Sequence, residues 1–121
     1  MEYINENEGL LKYLTGERSL ISATINRIDI HLEQEQLCID VFIELLYSPE
    51  KKKIKLEFID ILEYSFLYNS TYSFYNIENY KFFSSENGFY ICFDPFNENK
   101  EMSTSDQDYI QCKSVKGYLC E

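Results

Sequence analysis

The sequence predicts a mostly β fold bordering on α+β: an antiparallel β-sandwich or partly closed barrel of about seven strands with a short N-terminal helix. Three observations lead there. Apolar and polar side chains alternate with a period of two over several segments, most clearly at Leu37, Ile39, Val41, Ile43 and Leu45. Clusters of turn-forming residues separate those segments at short intervals. A chain of 121 residues with no internal repeat and no shift of composition has the size of one domain, residues 1–121.

Residues 2–14 fit an amphipathic helix. Glu2, Glu6 and Glu8 lie near its positive end, Leu10, Leu11 and Leu14 form an apolar stripe, and Thr15 with Gly16 provides a stop. Residues 20–119 read as an antiparallel β domain. Ile21, Ala23 and Ile25 share one parity and Ile28, Ile30 and Leu32 the other, so a β-bulge is expected at Asn26 and Arg27. The polar run from Glu33 to Gln36 is a turn, and the strand over 37–45 follows it. Pro49 fixes φ and lacks a backbone donor, so residues 47–50 turn the chain again.

A strand over 53–60, with Ile54, Leu56 and Phe58 on one face, completes a three-stranded meander. Further strands are expected near 62–68 and within 72–83, then a loop at 84–88. Residues 89–93 are apolar on both faces, as in a central strand. A polar loop occupies 94–108, where Ser105 and Asp108 fit a capped helical turn, and the last strand spans 109–119.

Eleven lysines and arginines stand against 21 aspartates and glutamates, a formal charge of -10. That balance argues against binding nucleic-acid phosphate or anionic membranes. The N-terminus MEYINENEGLLKYL has no basic or apolar leader pattern, and no stretch is apolar for the roughly 20 residues a membrane helix needs, so a cytoplasmic location is expected. Lys51, Lys52, Lys53 and Lys55 cluster in one hairpin and read as protection of an edge strand.

No catalytic or metal signature emerges, and a protein without enzymatic activity, cofactor or metal is expected. The four cysteines, Cys38, Cys92, Cys112 and Cys120, form no CxxC pair and read as small buried apolar residues. His31 faces outward beside Asp29, as a solvated side chain rather than one half of a His–Asp pair. None of the four glycines builds a phosphate-cradling loop, and no serine lies in a nucleophile elbow. The acidic loop lacks the calcium-loop spacing, and scattered carboxylates leave hydrolase chemistry open without pointing to it.

The aromatic content is the most unusual feature: 13 of the 20 phenylalanines and tyrosines lie in the 33 residues from Tyr64 to Phe96. Core filling accounts for most of the phenylalanines. Surface tyrosines beside carboxylates suit a protein-binding patch, and Tyr72, Tyr75, Tyr80, Asp94, Glu98, Glu101, Asp106 and Asp108 are the candidate contacts for a basic partner. The alternative is a small-ligand-binding β domain with an aromatic-lined cavity.

The C-terminal third resembles the tail of a family of small bacterial proteins in which an aromatic strand ends in Asp-Pro, followed by an acidic loop, a Ser-x-x-Asp-x-Asp stretch, a strand and a final Gly-Tyr. The matching positions are Tyr90, Asp94, Pro95, Ser105, Asp108, Ile110, Gly117 and Tyr118, and the likeness extends over residues 20–119 through the Ile-Asp-Ile-His and Phe-Ile-Asp-Ile segments. Such proteins are similar to the immunity partners encoded beside bacterial toxins. The resemblance implies an inhibitor that occludes a basic toxin or another protein partner, and it brings no catalytic residues with it.

Overall fold

The computed structural model describes residues 1–49, 53–71 and 75–120 and has the mostly β, antiparallel architecture that the alternation predicts. One seven-stranded sheet contains β1 (Glu2–Glu6), β2 (Thr24–Glu33), β3 (Gln36–Glu44), β4 (Lys53–Ser65), β5 (Lys81–Ser85), β6 (Gly88–Asp94) and β7 (Gln107–Cys120). Its order is β2-β3-β4-β7-β6-β5, and β1 pairs with β7. A helix, α1 (Asn7–Tyr13), and a 3-10 turn (Gly16–Arg18) lie between β1 and β2.

The meander β2-β3-β4 follows its sequence pattern. Ile39, Val41 and Ile43 of β3 and Ile54, Leu56 and Phe58 of β4 point to the core, and all six are buried. The register of β2 shifts between Ile25 and Arg27, at the expected bulge. The β2–β3 turn is a two-residue connection in which Gln34 (φ 50°) and Glu35 (φ 69°) both take the left-handed conformation, the geometry that suits the right-handed twist of a hairpin.

β4 and β7 are long strands that bend together. β4 buries Ile54, Leu56 and Phe58 and then turns Ile61 to the core; β7 buries Ile110 and Cys112 and then Val115. Both exchange faces between the pairs Ile59–Ser114 and Ile61–Cys112, where Asp60 sits at φ 60°. Strands that change faces in this way turn a corner, so a single sheet packs against itself around one core.

The sheet is curled but not closed into a barrel. Ile25 N–H donates to the Tyr75 carbonyl at 2.7 Å and Ile77 N–H to the Ala23 carbonyl at 2.9 Å, on the outer edge of β2. β5, at the opposite end of the strand order, begins only four residues after Ile77. Four extended residues reach at most about 14 Å, so the curl brings the two ends of the sheet that close together. α1 presses Leu10 into the core, with Leu14 just after it.

Several expectations are corrected. The helix is confined to Asn7–Tyr13, because residues 2–6 pair with the C-terminal half of β7, from Glu2 opposite Leu119 to Glu6 opposite Lys116. Asn7, at φ 51°, breaks the strand, and its Oδ1 accepts the Val115 N–H at 2.9 Å, so it fills the space along β7 between β1 and β6. The segment near 62–68 is no separate strand; its first residues continue β4 through the corner at Asp60. The strand sought within 72–83 is β5, which starts at Lys81. Lys53 and Lys55 guard no edge, since β4 lies between β3 and β7, with Lys55 over the Tyr118 ring at 4.9 Å. Lys51 and Lys52 lie outside the described residues.

Candidate functional site

β6 is buried on both faces, and only one of them belongs to the main core. Phe89, Ile91 and Phe93 join the core cluster, while Tyr90 and Cys92 are buried on the other side. Lys81 of β5 and Tyr109 of β7 stand opposite Cys92 and share its face. That outer face is covered by the loop over residues 95–106, whose polar sequence gives it no apolar stripe of its own. A single carboxylate holds it in place.

Asp106 is buried, and its oxygens accept five hydrogen bonds. Lys81 Nζ donates to Oδ1 at 3.1 Å and to Oδ2 at 3.0 Å, Tyr90 Oη donates at 2.6 Å, and the backbone N–H groups of Phe96 and Ser103 donate at 2.9 and 3.0 Å. Lys81 Nζ also donates to the Glu101 carbonyl at 2.7 Å. Both charged side chains are almost wholly excluded from solvent, at 3% exposure for Lys81 and 0% for Asp106. Burial raises the Asp106 carboxyl pKa, but the bonds from Tyr90, Phe96, Lys81 and Ser103 outweigh it and hold the group below the ordinary carboxylate value. Burial, then the bond to Asp106, raises the Tyr90 phenol, which therefore stays a donor.

This knot ties four points of the loop to β5 and β6. The turn inside it runs from Ser103 to Asp106, with Asp106 N–H bonded to the Ser103 carbonyl at 3.1 Å and Ser105 N–H to Ser103 Oγ at 3.1 Å. It therefore begins two residues before the turn expected at Ser105 and Asp108. Gly88 opens β6 at φ +143°, and a Cβ there would collide with the Cys112 carbonyl oxygen.

The candidate contacts divide into three groups. Asp106 and Asp108 are not available to a partner: both are buried, and Asp108 Oδ1 accepts the Leu67 N–H at 2.8 Å, fastening the chain after β4 to the start of β7. Tyr80 is half-buried, with its hydroxyl 3.3 Å from Ser19 Oγ. Asp94 is half-buried, whereas Glu98, Glu101 and Tyr75 are exposed. Tyr72 lies outside the described residues.

Sequence reasoning missed Phe96 and Met102, which the pinned loop leaves 68% and 44% exposed. Beside Met102 a cleft of about 270 Å³ opens among Glu63, Tyr90, Tyr109 and Gln111. Tyr109 Oη donates to Glu63 at 2.6 Å and its ring stacks on Tyr90 at 5.8 Å. The Glu63 bond, followed by burial, raises the Tyr109 phenol pKa. Leu62, Tyr64, Leu67 and Tyr68 are exposed near the end of β4. Lys81 was also missed, although a lysine between Tyr80 and Phe82-Phe83 is a usable signal: a charge inside an apolar strand calls for a buried counter-charge.

The expected chemistry of His31 changes in one respect. Its Nε2 lies 3.0 Å from Asp40 Oδ2, on the neighbouring strand, so the His–Asp pair forms with Asp40 rather than Asp29. Cys38 stands opposite His31 in the ladder, yet burial leads the effects that raise its thiol pKa and keep it protonated, which is the reverse of nucleophile activation. Burial likewise pushes Cys92 up to about 11 and Cys112 up to about 12. Among the described residues no group of three or more histidine, cysteine or carboxylate side chains could hold a metal ion. No helix of the described residues is long and apolar enough to cross a membrane.

No protein-family model, curated protein or solved structure matches this chain.

Proposed function

We propose that the chain is an acidic, non-enzymatic binding protein that occludes a basic protein partner, in the manner of an immunity protein acting on a basic toxin. The observation that carries this reading is the loop over residues 95–106. It has no regular secondary structure, yet a buried ion pair and five hydrogen bonds on Asp106 hold it against the sheet. On its outside it presents Phe96, Glu98, Glu101 and Met102 to solvent. A loop fixed before binding loses little conformational entropy on association, and apolar anchors among carboxylates suit a basic surface. With a formal charge of -10 behind them, those carboxylates also speed the encounter.

The test is affinity capture from cells that produce the protein, with the wild type and the Glu98→Lys/Glu101→Lys variant as baits. A basic protein retained by the wild type at low salt and lost with the variant supports the proposal. Recovery of no stable partner, or equal recovery with both baits, overturns it.

A second reading is favoured by a cleft of about 420 Å³ between α1 and β5, lined by Leu11, Leu14, Tyr80 and Phe82 with Lys12 and Lys100 beside them. It would suit a small amphiphile with an acidic head. Saturable thermal stabilisation by a medium-chain carboxylate supports that use, and no shift at millimolar ligand removes it.

A further inference from the structure

We propose that the outer edge of β2 is a self-complementary strand that pairs with a second copy of this chain about a twofold axis at Ile30. β2 ends the strand order. Among the described residues, those from Tyr75 to Ile77 pair with the edge at residues 22–25, and none pairs with it from Arg27 to Glu33. This stretch is regular, since the one register shift of β2 lies before Arg27.

The two-residue turn fixes which backbone groups the edge offers. Glu33 and Gln36 flank it as a hydrogen-bonded pair, so the N–H and C=O groups of residues 33, 31, 29 and 27 face β3. Those of Ile28, Ile30 and Leu32 therefore point outward. The core-side face of β2 is only partly covered here, and Ile30 and Leu32 are 43% and 70% exposed.

Antiparallel pairing of the edge with itself, centred on Ile30, sets Ile30 against Ile30 and Ile28 against Leu32 of the second copy. These are hydrogen-bonded pairs, and with their symmetry mates they supply six backbone bonds. On the other face the same register sets Arg27 against Glu33 and Asp29 against His31. Arg27 then meets the unlike charge of Glu33, and Asp29 meets an imidazole able to donate to it, in the non-hydrogen-bonded pairs where side chains approach most closely. Within one chain Arg27 already bonds Asp29 at 2.9 Å, and His31 Nδ1 lies 3.8 Å from Glu33, so these polar side chains join into one row across the axis. Long-range repulsion between two copies of charge -10 opposes association, but near 0.15 M salt its range falls to about 8 Å.

The inference does not depend on the proposed function. Seven paired residues make a small interface, so dissociation constants on the order of 10–100 µM are expected. Sedimentation of the full chain over that range reads the mass, and circular dichroism checks that each variant folds. The wild type is expected to move from 14.5 kDa towards twice that mass. Ile30→Lys, which puts two ammonium groups at the axis, should abolish the dimer. Arg27→Glu and Glu33→Arg should each weaken it by about tenfold, and the double variant, which restores unlike pairs, should recover it. A wild type that stays at 14.5 kDa, a dimer indifferent to Ile30→Lys, or a double variant weaker than either single change overturns the proposal.

Discussion

Replacing Asp106 with asparagine tests the knot that positions the candidate site. The change keeps the shape of the side chain and one acceptor oxygen, which can serve either Phe96 N–H, now on Oδ1, or Ser103 N–H, now on Oδ2, but it removes the negative charge and turns the other oxygen into an amide NH2. Lys81, 3% exposed and bonded otherwise, among the described residues, only to the Glu101 carbonyl, is left as a buried cation without that counter-charge. Breaking one side of such a pair costs about 3–5 kcal/mol, and no discount for solvent screening applies at this depth. For a chain of this size that corresponds to a melting temperature lower by about 10–20 °C. Urea unfolding followed by circular dichroism measures the loss. In the double variant Lys81→Met/Asp106→Asn the stranded charge is gone, and the loss should shrink to about 1–2 kcal/mol. An Asp106→Asn protein within about 1 kcal/mol of wild type would refute the assignment of the loop's order to this ion pair.

Three further outcomes are expected. Because the Asp106 carboxyl is held below its ordinary value, the unfolded chain binds the proton first; the stabilisation is complete above about pH 5 and lost as pH falls below about 4, so the wild-type advantage over Asp106→Asn in urea midpoint should narrow there, and a constant gap would contradict the shift. Thiol alkylation of the native protein near pH 8 should label Cys120 well before Cys38, Cys92 and Cys112, whose thiols are buried and raised, and equal labelling would contradict it. Asn7→Ala should destabilise the protein by about 2 kcal/mol, since it removes the acceptor for Val115 N–H and puts alanine at positive φ, and the loss should leave α1 and β1 with faster amide exchange than the β2–β3 hairpin.

What the sequence revealed and what it hid follow a physical division. The bulge before Arg27, the turn at Gln34 and Glu35 and the core face of β3 were legible because they depend on neighbours within a few residues and on a period of two. β1 was not, because Glu2–Glu6 becomes a strand only through an edge lying more than 100 residues away in β7. β4 was divided in two because its change of face at Asp60 looks like an ending when the matching change in β7 is unseen. The acidity and aromatic content of the candidate region were evident. The burial of Asp106 and Asp108 was not, since polar sequence gives no hint that Lys81 and Tyr90 wait beneath the loop. The same burial takes both carboxylates out of the proposed contact surface, which leaves Phe96, Glu98, Glu101 and Met102 exposed on the loop, and the sequence pattern does not single out Phe96 or Met102 as contacts.

Hydrogen exchange across the chain, with and without the captured partner bound, tests the binding surface most directly. Slower exchange on binding is expected at residues 96–102 and around Glu63 and Tyr109, with the β2–β3 hairpin unchanged. Protection confined to other parts of the sheet, or a bound protein that leaves the loop's exchange unaltered, would contradict an acidic loop that acts as the contact surface.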